Sequence, residues 1–296
     1  MKRAAVLVAM LGAASLLSGQ QTAPQSTQPA QSATPATGAA ETTPPAKHPP
    51  QAKTQPEFDA YKAASANANN GQAMEKAADD FATKFPDSEL RAILYRNAMH
   101  AYQSANDADK MMEMGRKVLK IDPDDPEALI GVSEVLAERT RDSDLDKDQR
   151  LDEATQMAQR AITTVDTDII PPAGTPQDKL DAYKGFLKSS AYSILGTLSF
   201  NKNKFPEAEG YFRKSIDALP SQPDPVAVLR LALSLDKQNK YPEALKEANH
   251  AVELTDENSA AGGLARRERD RLVQLTGGSG APANKPPAAN TAAPQK

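Results

Sequence analysis

A chain of 296 residues without a single cysteine, 39% hydrophobic and only 5% aromatic, excludes disulfide frameworks, thiolate metal sites and cysteine nucleophiles. Its formal net charge of −4 understates the acidity of its centre. Six basic residues and one acidic residue lie outside residues 57–276, which leaves −9 on that stretch. Such a body repels phosphate backbones, so neither nucleic acid nor a polybasic membrane dock is expected.

The chain opens with Met1-Lys2-Arg3, then fourteen uncharged residues, Ala4 to Leu17, then small polar residues. A basic start followed by an apolar run reads as a secretory signal peptide over residues 1–19. As a helix the run rises about 21 Å, short of the ~30 Å hydrocarbon core, so a permanent anchor is the weaker reading. No cysteine follows it for lipid attachment. The expectation is a periplasmic or secreted protein with no stable membrane insertion after signal removal. Residues 20–56 follow as a linker: Ala, Pro, Gln, Thr and Ser make up 33 of the 39 residues from 18 to 56. Such a segment buries too little apolar surface to offset its conformational entropy and is expected to be disordered. Residues 277–296 lack Leu, Ile, Val and aromatics and are expected to form a disordered tail.

Between the tails the sequence repeats itself. From Ser189, counted as position 1, Tyr192 falls at 4, Leu195 at 7, Gly196 at 8, Ala208 at 20, Phe212 at 24 and Pro220 at 32. The same frame recovers Tyr95, Tyr102, Val118 and Pro123 in 92–125, and Leu231, Ala232, Ala244, Ala248 and Ala251 in 225–258. A weaker copy, 55–88, has Phe58, Tyr61, Ala78, Phe81 and Pro86. This pattern resembles the tetratricopeptide repeat, a helix–turn–helix of about 34 residues. Small residues at 8 and 20 let paired helices approach closely, and Pro at 32 ends the second helix. Apolar spacing alone would also suit an ordinary helical bundle. The resemblance implies an all-α fold: a right-handed α-solenoid of helix–turn–helix repeats flanked by disordered tails.

Two irregularities divide the repeats. A copy beginning at Pro126 has its second helix, with Ala154, Ala158 and Ala161, nine residues late. Residues 169–188 form a loop and a helix extension, for which Thr175-Pro176 with Asp178 reads as an N-cap, a first-turn proline and an acidic first turn. Repeats one to three therefore span 57–168, and repeats four and five span 189–258. Residues 259–276 read as an amphipathic capping helix, with Leu264, Leu272 and Leu275 opposite four arginines, stopped by Gly277-Gly278.

The sharpest chemical candidate is Asp142, Asp144, Asp146, Asp148 and Glu153, spaced like the oxygen ligands of a calcium-binding helix–loop–helix. Lys147 occupies the place where glycine normally allows the tight turn, so a solvated acidic loop is preferred and no metal is expected. His48, His100 and His250 have no metal-ligand spacing, and no nucleophile elbow, phosphate-cradling loop or dinucleotide fingerprint occurs. No enzyme activity and no cofactor are expected.

The remaining functional surface is the groove that the resemblance implies along the first helix of each repeat. Transferred position by position, it would be lined by Arg96, His100, Ile130, Glu134, Thr197, Phe200, Leu229 and Leu233, among others. The lysine and asparagine of the family's clamp for acidic carboxy-terminal tails are replaced by Asp59 and Ala63, which argues against that partner class. Leu229 and Leu233 could equally be packed under the capping helix. The expected partner is a peptide or helix of another envelope protein, bound by a monomeric scaffold. The alternative is a structural or assembly protein that self-associates through its end repeats.

Overall fold

The computed structural model describes residues 48–67, 70–172 and 174–277. The segment expected to be a signal peptide, most of the expected linker and nearly all of the expected carboxy-terminal tail lie outside these residues. Eleven helices and no strand occur among them. They are α1 (Gln55–Ser65), α2 (Gly71–Lys84), α3 (Leu90–Ser104), α4 (Ala108–Ile121), α5 (Pro126–Arg139), α6 (Lys147–Asp168), α7 (Gln177–Asn201), α8 (Phe205–Ala218), α9 (Pro225–Asp236), α10 (Tyr241–Glu253) and α11 (Ala260–Thr276).

The starts of these helices follow from local chemistry. Asn70, Asp107, Asp125, Asp224 and Ser259 each accept a hydrogen bond from a first-turn amide, satisfying donors that have no partner within the helix. Pro56, Pro126, Pro206, Pro225 and Pro242 occupy first-turn positions, where a missing N–H costs nothing. The turns inside three repeats share one device. Asn106, Asn203 and Asn239 have positive φ of 57°, 57° and 61°, and all three fall at position 15 of the repeat. One residue on, the amides of Asp107, Lys204 and Lys240 donate back to the carbonyls of Tyr102, Ser199 and Leu235 at 3.0, 2.9 and 3.0 Å. These are Schellman closures, with asparagine in place of the usual glycine.

Every helix packs on the next, and the odd-numbered helices also pack on one another, α1 on α3, then α5, α7, α9 and α11 in turn. The odd helices therefore form one continuous layer and the even helices a second layer behind it. This is an α-solenoid, built from neighbour contacts alone. Its seams are lined by small side chains: Ala78, Ala158, Ala208, Ala232, Ala244 and Ala248 are all fully buried. Gly196 shows why the repeat demands a small residue there, since a Cβ on it would lie 2.6 Å from the Phe212 ring. A methyl group would force α7 and α8 apart.

Two segments differ from the sequence expectation. Helix α1 starts at Gln55, two residues inside the stretch expected to be disordered, and residues 48–54 lead into it beside the turn before α3. Lys53 Nζ donates to the Asp87 carbonyl at 2.9 Å, its amide donates to Glu57 Oε2 at 2.7 Å, and Ala52 packs on the first core cluster. Helix α7 begins at Gln177 rather than at Pro176. The Thr175 hydroxyl does not cap it; it donates to the Pro172 carbonyl at 2.7 Å and closes the preceding turn.

Candidate functional site

Residues of the odd helices that are far apart in sequence meet on the inner layer in two places. The first joins α3, α5 and α7. Asp125 caps α5 by accepting from the Ala128 amide at 2.9 Å, and its second oxygen receives Arg96 Nη1 at 2.7 Å. The same nitrogen lies 3.7 Å from Glu127 Oε1, while His100 Nε2 is 2.6 Å from Glu127 Oε2. The Tyr183 hydroxyl, on the amino-terminal extension of α7, completes the group by hydrogen bonding to Glu127. Asp125 is only 2% exposed, and the side chain of Glu127 is 12% exposed.

Burial opposes ionisation of Glu127, but Arg96, His100 and Tyr183 outweigh it and hold the carboxyl down to about 2. Burial, with the charge of Glu127 nearby, raises Asp125 in spite of its contact with Arg96. Burial also disfavours the Arg96 cation, yet the two carboxylates more than restore it. The network is thus closely satisfied, with one exception: His100 Nδ1 is buried without a partner among the described residues.

The second meeting place joins α5, α7 and α9. The Arg230 guanidinium donates to the Thr197 hydroxyl, and its field reaches Glu134 and Glu138. Desolvation lowers the Arg230 pKa, against the pull of those carboxylates. Glu134 is half-buried on the face of α5 that carries Ile130, Ala137 and Glu138. Desolvation, reinforced by Glu138 one turn away, pushes its carboxyl up to about 7.

The eight transferred groove residues therefore divide. Arg96 and His100 stand in the first cluster; Glu134 and Thr197 stand in the second, with Ile130 (7% exposed) on the same helix between them. Phe200 is half-buried in an edge-to-face contact with Phe205, 5.3 Å between ring centres, and packs on the core beneath the α7–α8 turn. Leu229 is 4% exposed in a cluster with Ala251 and Ala265, and Leu233 packs against the same cluster. Ala265 belongs to α11, so for Leu229 the packing reading holds. Glu127 and Glu138, at further groove positions of the same repeat, join Asp125, Tyr183 and Arg230 in completing the two clusters. Of the last three, only Asp125 carried a sequence signal, as an Asp-Pro at a helix start.

The acidic run at 142–153 is spread open. Asp142 pairs with Lys147 at 2.6 Å, Asp144 accepts from the Arg141 amide at 2.9 Å, and Leu145 is fully exposed. Asp146 and Asp148 sit at the start of α6. Glu153 turns away to receive both terminal nitrogens of Arg116, at 2.8 and 3.0 Å. The depression beside it is lined by Arg116 and Arg150 as well as Asp146 and Glu153, so cationic side chains already face the carboxylates there. Among the described residues no three His, Asp or Glu side chains gather closely enough to hold a metal ion. The three histidines stay apart: His48 faces Glu89, His100 faces Glu127 and His250 faces Glu247.

No protein-family model matches the chain, and no curated protein matches it. Solved structures do. PilF of Pseudomonas aeruginosa superposes with a TM-score of 0.53 at 19% identity, covering 76% of this chain and 88% of PilF. PilW, described as a widely conserved type IV pilus biogenesis factor, gives 0.47 at 19% identity over 76% of this chain and 88% of its own. YrrB, described as a tetratricopeptide-repeat protein with an unusual peptide-binding site, gives 0.43 at 16% identity over 68% and 91%. The likeness is one of fold: the chain is a tetratricopeptide-type solenoid.

Proposed function

We propose that the chain is a non-catalytic interaction scaffold that holds a peptide or helix of another protein along its inner layer. The observation that carries this reading is the convergence of α5, α7 and α9 at Glu134, Thr197 and Arg230. Ionisable groups are desolvated there without direct charge partners among the described residues. A chain gains nothing in folding from such groups, whereas a bound segment can use them. A photo-crosslinking residue at position 197 is expected to capture one defined partner in cells, and the same residue at Asp217, exposed on α8, is not. Equal capture from both positions overturns the reading.

The cell envelope as the site of action rests on Met1 to Leu17, and its test is direct. The mature protein is expected to begin near residue 20 and to fractionate with the periplasm or the medium; an intact Met1 in the cytoplasm refutes it. Among the described residues no helix is long and apolar enough to cross a membrane. A second reading, self-association through the terminal helix, draws on Leu264 and Leu275 of α11, which are 51% and 52% exposed. A sedimentation coefficient that does not change with concentration removes it.

A further inference from the structure

Half-buried carboxylates elsewhere on the solenoid are paired. Glu75 meets Lys110, Glu209 meets Lys240 and Arg213, and Asp236 meets Arg271. Glu134 breaks this pattern: no hydrogen bond or salt bridge joins it to a described side chain. Among the described residues, the charges that act on it are Glu138, of like charge, and Arg230, which is bound to Thr197 and acts only through space. Like charges on successive turns of one helix are mutually destabilising.

Apolar surface lies on the helices that carry Arg230 and Thr197. One turn beyond the Arg230–Thr197 contact, Leu233 on α9 and Phe200 on α7 are half-buried rather than sealed. Each packs on its own core cluster on one side, and its exposed remainder gives this layer apolar surface one turn from the Arg230–Thr197 contact. A partner that fits must bring a cation to Glu134 and Glu138 and an apolar face to Leu233 and Phe200. A helix does both, since residues three and four apart share a face. Nucleic acid is excluded by the sign of the charge.

Resting on the scaffold reading above, we infer that the groove docks an amphipathic helix of a partner protein, with a lysine or arginine that pairs with Glu134 and Glu138. The cation that the described residues do not place on Glu134 is then supplied in trans. Exclusion of water by the bound helix strengthens the pair relative to a surface contact. Because Glu134 acquires its charge near pH 7, the contribution grows as pH rises from 6 to 8. Among the described residues, Glu138 from the same helix and Arg230 from α9 are the charges that act on it.

The test uses the full chain and three synthetic amphipathic peptides, identical but for lysine, glutamine or glutamate on the polar face. Fluorescence anisotropy at pH 8 is expected to show the lysine peptide binding about tenfold tighter than the glutamine peptide, and the glutamate peptide weakest. The double variant Glu134→Gln/Glu138→Gln should erase the lysine preference. The control Asp217→Asn/Glu253→Gln removes the same charge from exposed positions on α8 and α10 and should preserve it. A lysine preference that survives in the groove variant, or falls equally in the control, overturns the inference; so does failure of the lysine peptide to bind. If the glutamine peptide binds equally well and Thr197→Arg abolishes both, the groove reading stands and only the cationic partner falls.

Discussion

Glu134→Gln should make the free protein more stable, by an amount that grows as pH rises from 4.5 and levels off above about 7. In the unfolded chain this carboxyl titrates near 4.5; in the folded chain it is held at about 7, chiefly by desolvation and then by Glu138. Between those values the folded state binds the extra proton, so stability falls as pH rises through this window. Below pH 4.5 both states are protonated and the penalty vanishes. The gap corresponds to roughly 3 kcal/mol at about 1.4 kcal/mol per pH unit. Glu134 is half-buried rather than sealed, and solvent screening reduces the figure to about 2 kcal/mol. Glutamine keeps the shape and removes the charge. Urea denaturation should therefore place Glu134→Gln about 2 kcal/mol above wild type at pH 8, and within ~0.5 kcal/mol of it at pH 4. A gap that does not vary with pH, or a variant less stable at pH 8, would refute the reasoning. The second outcome would mean that Glu134 already has a cation partner in the free protein.

Three further outcomes follow from the packing. Arg96→Ala leaves Asp125 and Glu127 buried without their guanidinium and should cost about 3–5 kcal/mol, read as a lower urea midpoint at neutral pH. Gly196→Ala should cost about 1–3 kcal/mol against the Phe212 ring, whereas Gly210→Ala, whose Cβ would meet nothing within 4 Å, should stabilise by about 1 kcal/mol; thermal melts of the pair check both signs. Millimolar calcium should leave the melting temperature unchanged, because Asp142 is bound to Lys147 and Glu153 to Arg116; a rise of several degrees that disappears in Glu153→Ala would contradict this.

The repeat was legible because its rules are steric and local. Gly196, Ala208 and Phe212 stand at fixed spacing because α7 and α8 cannot approach otherwise, and a ring-to-Cβ clash leaves its mark on the sequence. Asn106, Asn203 and Asn239 were equally periodic, yet asparagine at a turn is common enough that only the backbone angles gave the period its meaning. The groove was legible to the level of the helix but not of the side chain. Position rules put Leu229 on the inner face, and α11 then covers it with Ala265. The rules gave no hint of Tyr183, which reaches Glu127 only because α7 is prolonged before the repeat begins. Arg230 gave none either, since its role depends on how far α9 swings toward α5.

The two polar clusters of the inner layer therefore have different standing. Around Arg96 almost every charge has a direct partner, and the partners come from three helices; removing one member should loosen the join between α3, α5 and α7. Such a group holds a curvature and leaves little for a ligand to satisfy. Around Glu134 the reverse holds among the described residues: the carboxylates repel, and the guanidinium of Arg230 is engaged by Thr197. Stability falls with each charge kept there. In a solenoid whose helices bind only their neighbours, a local penalty of this kind stays local and is tolerated without unfolding the remainder. A groove that destabilises itself at one place, beside a network that holds its shape, is therefore most sensitive to ligand at Glu134 and most sensitive to folding at Arg96. Substitutions at the two positions should separate in the same binding assay. Glu134→Gln should change which peptide binds, while Arg96→Ala should weaken all peptides alike.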